Sequence, residues 1–216
     1  MPDLDFVVES AEILPYAAVP TVLFRLGIQN AVDGEKVDSI SLRTQIRIAA
    51  TQRRYDPPEQ DRLRELFGEP HQWKDTLRSL LWTNTNTIVP RFAGGCVFEM
   101  PVTCTYDFDV VGTKYFAALE DGEIPLEFLF SGTVFYRGEN GALQVVHIPW
   151  EKEATFRLPV RVWRDMMEHY FPNSAWLRIR KDTFDRLYDY RARNALLTWE
   201  RTLDDLLDAA EKEVES

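Results

Sequence analysis

Several stretches of this chain alternate apolar and polar residues with a period of two, and this pattern limits the fold more than any other feature. Alternation of this kind is typical of β-strands that bury one face. Asp33 and Gly34 separate two such runs, and an Asp-Gly pair suits a tight turn, so we predict that the runs form an antiparallel hairpin. The predicted buried faces are Val22, Phe24, Leu26 and Ile28 in the first run and Ile40, Leu42, Ile46 and Ile48 in the second.

The same alternation predicts further strands on both sides of this hairpin. One is expected from Phe6 to Ile13, and a long one from Phe98 to Val110. Two more follow Asp121-Gly122 and Asn140-Gly141, dipeptides that favour the turns of β-hairpins. We therefore predict a mainly antiparallel sheet. One sheet covered by helices and a two-sheet sandwich would both produce this pattern.

Helical patterns interrupt the predicted sheet and follow it. A helical insertion is expected at about residues 57–82, and the polar tract Thr83–Thr87 after it is expected to be a loop. The period becomes helical again from Pro159, and a last long helix is predicted from about Asp182 to Lys212. The predicted class is α+β, in a single domain 1–216. Its β core would span 1–158, and a helical part at 159–216 would pack on that core.

Composition argues against several classes of function. The formal net charge of −10 disfavours binding to nucleic acid, which depends on clustered basic residues. Because no stretch approaches the roughly 20 apolar residues of a membrane helix, we expect no membrane span. The acidic start Met1-Pro2-Asp3 lacks the basic and apolar segments of a signal peptide, and two cysteines supply no disulfide framework. These features predict a cytoplasmic protein.

The residues that carry most enzyme chemistry are few and scattered. The three histidines lie on different predicted elements and share no metal-ligand spacing, and we expect His147 to be a hydrogen-bonded structural residue. Cys104 is predicted to be buried and inert, while Cys96 has no activating base nearby. Asp107 and Asp109 share one strand face, where solvated carboxylates are favoured over an acid–base pair. We predict no catalytic residue, no metal site and no cofactor.

The densest aromatic region lies between residues 150 and 176. Tryptophan and tyrosine are enriched in protein cores and also at protein-binding hot spots. Packing of helices on the sheet is the favoured interpretation of these side chains, and a binding groove is the alternative. The partner-binding candidates under that alternative are Trp150, Trp163, Tyr170, Phe171, Trp176 and Trp199.

The C-terminal end is strongly acidic. From Asp204 onward it carries six acidic residues and one lysine. Acidic residues at the C-terminus of a helix oppose the helix dipole. We therefore expect this end to fray unless a partner covers it, and a solvated tail is the alternative.

Three segments carry a resemblance to a known group of proteins. They are Pro159-Val160-Arg161-Val162-Trp163-Arg164, Tyr170–Trp176 and Arg180-Lys181-Asp182-Thr183. Together with the region from Phe24 to Ile48, they make the chain resemble an uncharacterised actinobacterial family encoded near uptake NiFe hydrogenases. The resemblance implies a role in hydrogenase maturation or assembly by association. In outline, an antiparallel sheet followed by long helices is also similar to SecB-type export chaperones, without a shared motif.

These observations favour a non-catalytic accessory or chaperone-like protein that binds another protein. A hydrogenase subunit or maturation factor is the partner that the resemblance implies. Exposed sheet edges and a long helix also make a homo-oligomer an expected alternative. The competing hypothesis is an enzyme or small-ligand-binding protein with a pocket between the helices and the sheet.

Overall fold

The computed structural model describes residues 1–32, 35–104, 111–138, 140–174 and 179–214. The chain divides into two compact units, Met1–Ala175 and Trp176–Ser216. The packing of the whole helical part on the β core stays a prediction. No helix among the described residues is both long and apolar enough to cross a membrane.

The first unit is built on antiparallel strands. Its described strands are β1 (Leu4–Ile13), β2 (Thr21–Asn30), β3 (Lys36–Ile48), β4 (Leu80–Val89), β5 (Phe92–Ala93), β6 (Gly95–Thr103), β7 (Glu123–Arg137), β8 (Leu143–His147) and β9 (Glu153–Pro159). Their order is β1-β2-β6-β5-β3-β7-β8, with β4 also pairing with β3 and β9 also pairing with β7. With the helices given below, this arrangement confirms the predicted α+β class.

The sheet folds over on itself as a sandwich-like structure. Strand β5, only two residues long, connects the arm β1-β2-β6 to the arm around β3 and β7. Aromatic rings bridge strands that do not pair: the Phe24 and Phe128 ring centroids are 5.2 Å apart, and those of Phe6 and Phe130 are 4.3 Å apart. The two arms therefore face each other with the hydrophobic core between them.

The predicted buried faces of β2 and β3 are confirmed. All eight side chains are at most 1% exposed. On β7 the even-numbered side chains are buried both before and after Gly132, from Ile124 to Tyr136, and Gly132 itself has a φ of +139°. An added Cβ at Gly132 would lie 2.0 Å from the Ser41 carbonyl oxygen, so only glycine lets β7 lie this close to β3.

The predicted hairpin between β2 and β3 is wrong. Strand β2 pairs with β1 and β6, whereas β3 pairs with β4, β5 and β7. Asp33 and Gly34 lie outside the described residues. A tight-turn signal reports only on the residues of the turn. It cannot show that β1 and β6 pair with the two edges of β2 and leave no edge for β3. The hairpin predicted at Asn140-Gly141 does form, between β7 and β8.

The helical insertion is shorter than predicted. Helices α1 (Pro57–Phe67) and α2 (Trp73–Thr76) form, but residues 80–82 and the tract Thr83–Thr87 belong to β4. Side-chain hydrogen bonds along β3 and β4 join Arg43 to Asn86 and Gln45 to Asn84, both at 3.3 Å. These cross-strand bonds hold the Thr/Asn tract in the sheet rather than in a loop.

Two further helices belong to the first unit. Helix α3 (Val111–Ala118) precedes Asp121-Gly122, so that dipeptide joins a helix to β7 rather than two strands. Strand β6 ends at Thr103, and residues 105–110 of the predicted long strand lie outside the described part. Helix α4 (Val160–Tyr170) buries Trp163 and Met166.

The second unit is a helical hairpin. The single long helix predicted from about Asp182 to Lys212 is instead two helices, α5 (Lys181–Arg193) and α6 (Trp199–Val214). The chain turns where Ala195 adopts a φ of +52°, outside the right-handed helical region. This turn brings α6 back against α5, which a straight helix would not allow.

Candidate protein-binding site

The six aromatic candidates do not form one surface. Trp163 is 5% exposed and lies in the core, where its ring is 4.6 Å from that of Phe116. Tyr170 is half-buried, and its hydroxyl donates to the Leu14 carbonyl oxygen at 2.7 Å. Phe171 is half-buried just after α4, and Trp176 lies outside the described residues.

Trp150 differs from the others because it is 90% exposed. It lies in the turn between β8 and β9, which the Lys152 amide closes by donating to the Pro149 carbonyl oxygen at 3.2 Å. The Lys152 ammonium also pairs with Asp3 at 2.8 Å and with Asp5 at 3.0 Å. The turn is therefore anchored to β1, and the indole projects from a fixed support.

Trp199 belongs to an aromatic cluster within the helical hairpin. Its ring lies 5.2 Å from Phe184 and 6.4 Å from Tyr188, with the Arg191 guanidinium 4.4 Å from the Trp199 centroid. On the adjoining side, the Tyr190 hydroxyl donates to Asp205 at 2.6 Å. These contacts join α5 to α6.

Part of the apolar stripe of α6 stays uncovered. Leu203 is 39% exposed and Leu207 61% exposed, although Thr202 beside them is buried. Positions three and four apart share a helix face, so the two leucines form one exposed row. A second row of exposed carboxylates runs alongside it: Glu200, Asp204, Asp208 and Glu211. We call these six side chains the α6 face.

A buried polar cluster lies between α1, α3 and the sheet, and the sequence did not reveal it. The Arg53 Nη2 atom lies 2.6 Å from Glu59 Oε1, and the same guanidinium donates to the carbonyl oxygens of Asp121 and Glu123 at 2.7 Å. Arg53 thereby ties the loop before α1 to the start of β7. Glu59 follows the N-cap Asp56 by three residues, a capping-box spacing, but its carboxylate turns to Arg53 instead.

Two tyrosines complete this cluster. The Tyr55 hydroxyl donates to the Ala50 carbonyl oxygen at 2.7 Å and accepts from the Tyr115 hydroxyl at 2.7 Å. Burial raises the pKa of Tyr55 to about 12, and burial together with the neighbouring Tyr55 raises the pKa of Tyr115 as well. Both hydroxyls therefore remain protonated near neutral pH, away from the pKa that a general base needs. The arrangement suits a structural role, in which the cluster holds the loop before α1 to α3 and to the start of β7.

The histidine and cysteine candidates are not gathered either. His147 is exposed, and it makes a hydrogen bond as expected: its Nδ1 is 3.5 Å from Thr133 Oγ1 on the neighbouring strand β7. Cys104 is buried as predicted, and burial raises its pKa to about 12. Burial also raises the pKa of Cys96, which opposes thiolate formation. Asp107 and Asp109 lie outside the described residues.

Within the described part of the chain, no group of three or more His, Cys, Asp or Glu side chains is placed to hold a metal ion. The strands that carry His147 and Cys96, β8 and β6, do not pair with each other. His147 and Cys96 therefore lie on strands that are not neighbours in the sheet.

The fold and the exposed surfaces define an α+β protein with an antiparallel, sandwich-like core and an amphipathic helical hairpin. The chain belongs to DUF6084, a family of unknown function, whose model matches residues 1–215. This match agrees with the resemblance to an uncharacterised family, and it shows no link to hydrogenases or to SecB. No curated protein matches the sequence.

Two solved structures show distant likeness. One is the CARDB domain of a Pyrococcus furiosus protein in complex with di-metal ions, 15% identical, with a TM-score of 0.28, covering 73% of this chain and 92% of that one. The other is the solution structure of a protein assigned to the late embryogenesis abundant class, 13% identical, with a TM-score of 0.34, covering 74% of this chain and 73% of that one. Both likenesses are too distant to support an argument about fold or function.

Proposed function

We propose that this protein is a non-catalytic accessory protein that binds another protein through the α6 face. The observation that carries the proposal is the exposed Leu203–Leu207 row. Two neighbouring leucines left in water on a helix lose the stabilisation that burial would give, at about 25 cal/mol per Å² of apolar surface. Apolar surface of this kind is a common feature of protein-binding sites.

The charges around the leucines support the same function. The carboxylates of the α6 face keep a partly apolar helix in solution and discourage indiscriminate hydrophobic association. A partner could then cover the leucines reversibly, which is the behaviour expected of an accessory or chaperone-like protein. Trp150 is a second exposed anchor, and its fixed turn suits contact with a partner.

The test compares the proteins that co-purify with the whole chain when the two leucines are present and when they are replaced. Tagged wild type and the Leu203→Ala/Leu207→Ala variant are isolated from the native host, and the co-purifying proteins are quantified by mass spectrometry. Val7→Ala/Val97→Ala is the matched control, because it also shortens two exposed apolar side chains, on β1 and β6. A partner recovered in stoichiometric amount is then purified and titrated against each variant.

The proposal expects one partner to be lost with the leucine variant and kept with the control. Recovery of the same partner at equal affinity from all three proteins would refute a role for the α6 face. A hydrogenase subunit or maturation factor is the partner implied by the resemblance, and the same experiment tests it. The cytoplasmic location and self-association predicted from the sequence stay predictions.

A further inference from the structure

We infer that the occupant of the α6 face is a basic amphipathic segment of another protein. This inference rests on the proposed function and names the chemistry of the partner. Its basis is the arrangement of charge beside the exposed leucines. Glu200 precedes Leu203 by three residues, Asp204 precedes Leu207 by three, and Glu211 follows Leu207 by four. Each of these carboxylates therefore neighbours a leucine on the helix surface.

The acidic row is unfavourable for the isolated helix. Glu200, Asp204 and Asp208 are spaced four residues apart, and like charges at this spacing destabilise a helix. Asp208 and Glu211 also lie towards the C-terminal end of α6, where negative charge opposes the helix dipole. Among the described residues, none of these four carboxylates has an ion-pair partner within the distances of a salt bridge.

Helix α5 shows the opposite pattern. Lys181 pairs with Asp185 at 2.9 Å, and Arg180 before the helix pairs with Asp182. The acidic residues at the start of α5 thus have ion-pair partners, whereas the four carboxylates of the α6 face have none among the described residues, although α6 also carries Arg201 and Lys212. A cationic partner would relieve the repulsion on α6 at the same time as it covers Leu203 and Leu207.

The dimensions of the row define the partner further. From Glu200 to Glu211 the helix rises about 16 Å, or about three turns. A complementary segment needs an apolar strip to cover the leucines and Lys or Arg side chains about one turn apart beside it. A second copy of this chain fits poorly, because a two-fold contact between α6 helices would bring the acidic rows together. Anionic lipid surfaces and nucleic acids are disfavoured by the same repulsion.

The test uses designed peptides and the full-length protein. One peptide of about 18 residues, or about five turns, carries leucines on one face and lysines beside them, and a second has glutamates in place of the lysines. Binding is measured by fluorescence anisotropy at low and high salt. The variants are Asp204→Asn/Asp208→Asn on the α6 face and Asp75→Asn/Asp165→Asn, which changes the net charge equally at exposed sites of the first unit.

The inference expects the lysine peptide to bind wild type and the glutamate peptide not to bind. Asp204→Asn/Asp208→Asn should weaken binding about fivefold, the effect of two exposed ion pairs, with a smaller loss at high salt. The Asp75/Asp165 control should change it less than twofold. Equal weakening in both variants would mean that only the net charge of the protein matters. Equal binding of both peptides would mean that only apolar contact matters. Either result overturns the inference.

The two proposals fail in distinguishable ways. If a native partner is lost with Leu203→Ala/Leu207→Ala while the lysine peptide does not bind wild type, protein binding stands and the basic partner is wrong. If sedimentation shows that wild type dimerises and the leucine variant does not, the occupant is a second copy. If the lysine peptide binds wild type and the leucine variant equally, the leucines are not part of the peptide's site and the inference is overturned, while the native partner retained by each variant still decides the proposed function.

Discussion

Replacing Trp163 by alanine separates a core role from a binding role for the most buried of the aromatic candidates. A buried tryptophan removes about 150–250 Å² from water, which corresponds to about 4–6 kcal/mol as an upper bound. Measured Trp→Ala substitutions in cores cost about 3–5 kcal/mol, because the neighbours relax only partly. With Trp163 at 5% exposure and packed on Phe116, we expect a loss in this range.

The assay is urea and thermal unfolding followed by far-ultraviolet circular dichroism. For a unit of this size a loss of 3–5 kcal/mol lowers the melting temperature by about 6–20 °C. Trp150→Ala is the matched control, because the same side chain is removed from a 90% exposed position and should change the free energy of unfolding by less than about 0.5 kcal/mol. Equal midpoints for Trp163→Ala and wild type would refute the placement of Trp163 in the core.

Three further predictions concern the first unit. Glu59→Gln should lower the free energy of unfolding by about 3 kcal/mol, since Arg53 would lose its buried counter-charge but keep its two carbonyl acceptors; a change below about 1 kcal/mol in urea unfolding would contradict this. Gly132→Ala should cost at least about 2 kcal/mol, because its Cβ would overlap the Ser41 carbonyl oxygen; an unchanged urea midpoint would refute that overlap. Burial raises the folded-state pKa of Tyr55 to about 12, so its contribution to stability is complete below about pH 10 and falls as the pH rises to about 12. Urea midpoints measured across that range should fall less steeply in Tyr55→Phe, and equal slopes would show that Tyr55 is not responsible.

The buried faces of the strands could be predicted from the sequence, but their partners could not. Alternation identifies which side of β2, β3 and β7 is apolar, and burial depends mainly on that. Pairing depends on edges: β2 lies between β1 and β6, and residue 22 of β2 faces residue 102 of β6, far along the chain. A local Asp-Gly signal carries no information about such distant partners.

The missed strand β4 has a different cause. The tract Thr83–Thr87 has no large apolar residue, so its alternation is between threonine and asparagine rather than between apolar and polar side chains. Its place in the sheet comes from contacts with β3, including the bonds of Asn84 and Asn86 to Gln45 and Arg43. Threonine is favourable in strands, and the tract can form either a loop or a strand. Pairing with β3 stabilises the strand.

The α6 face was only half visible in the sequence. The helical periodicity of the C-terminal sequence predicts an apolar stripe that includes Leu203, and the composition shows an acidic C-terminal end. Neither reveals which part of the stripe α5 covers. The chain reversal at Ala195 brings α6 against α5, where the Tyr190 hydroxyl donates a hydrogen bond to Asp205. Thr202 is buried, while Leu203 and Leu207 remain exposed. Asp205 is therefore engaged within the hairpin, whereas Asp204 and Asp208 face the same water as the leucines. The aromatic contacts and the Tyr190–Asp205 hydrogen bond between α5 and α6 involve none of the residues replaced in these variants. Both sets of variants should therefore keep the hairpin folded, and a loss of binding in them would report on the α6 face itself.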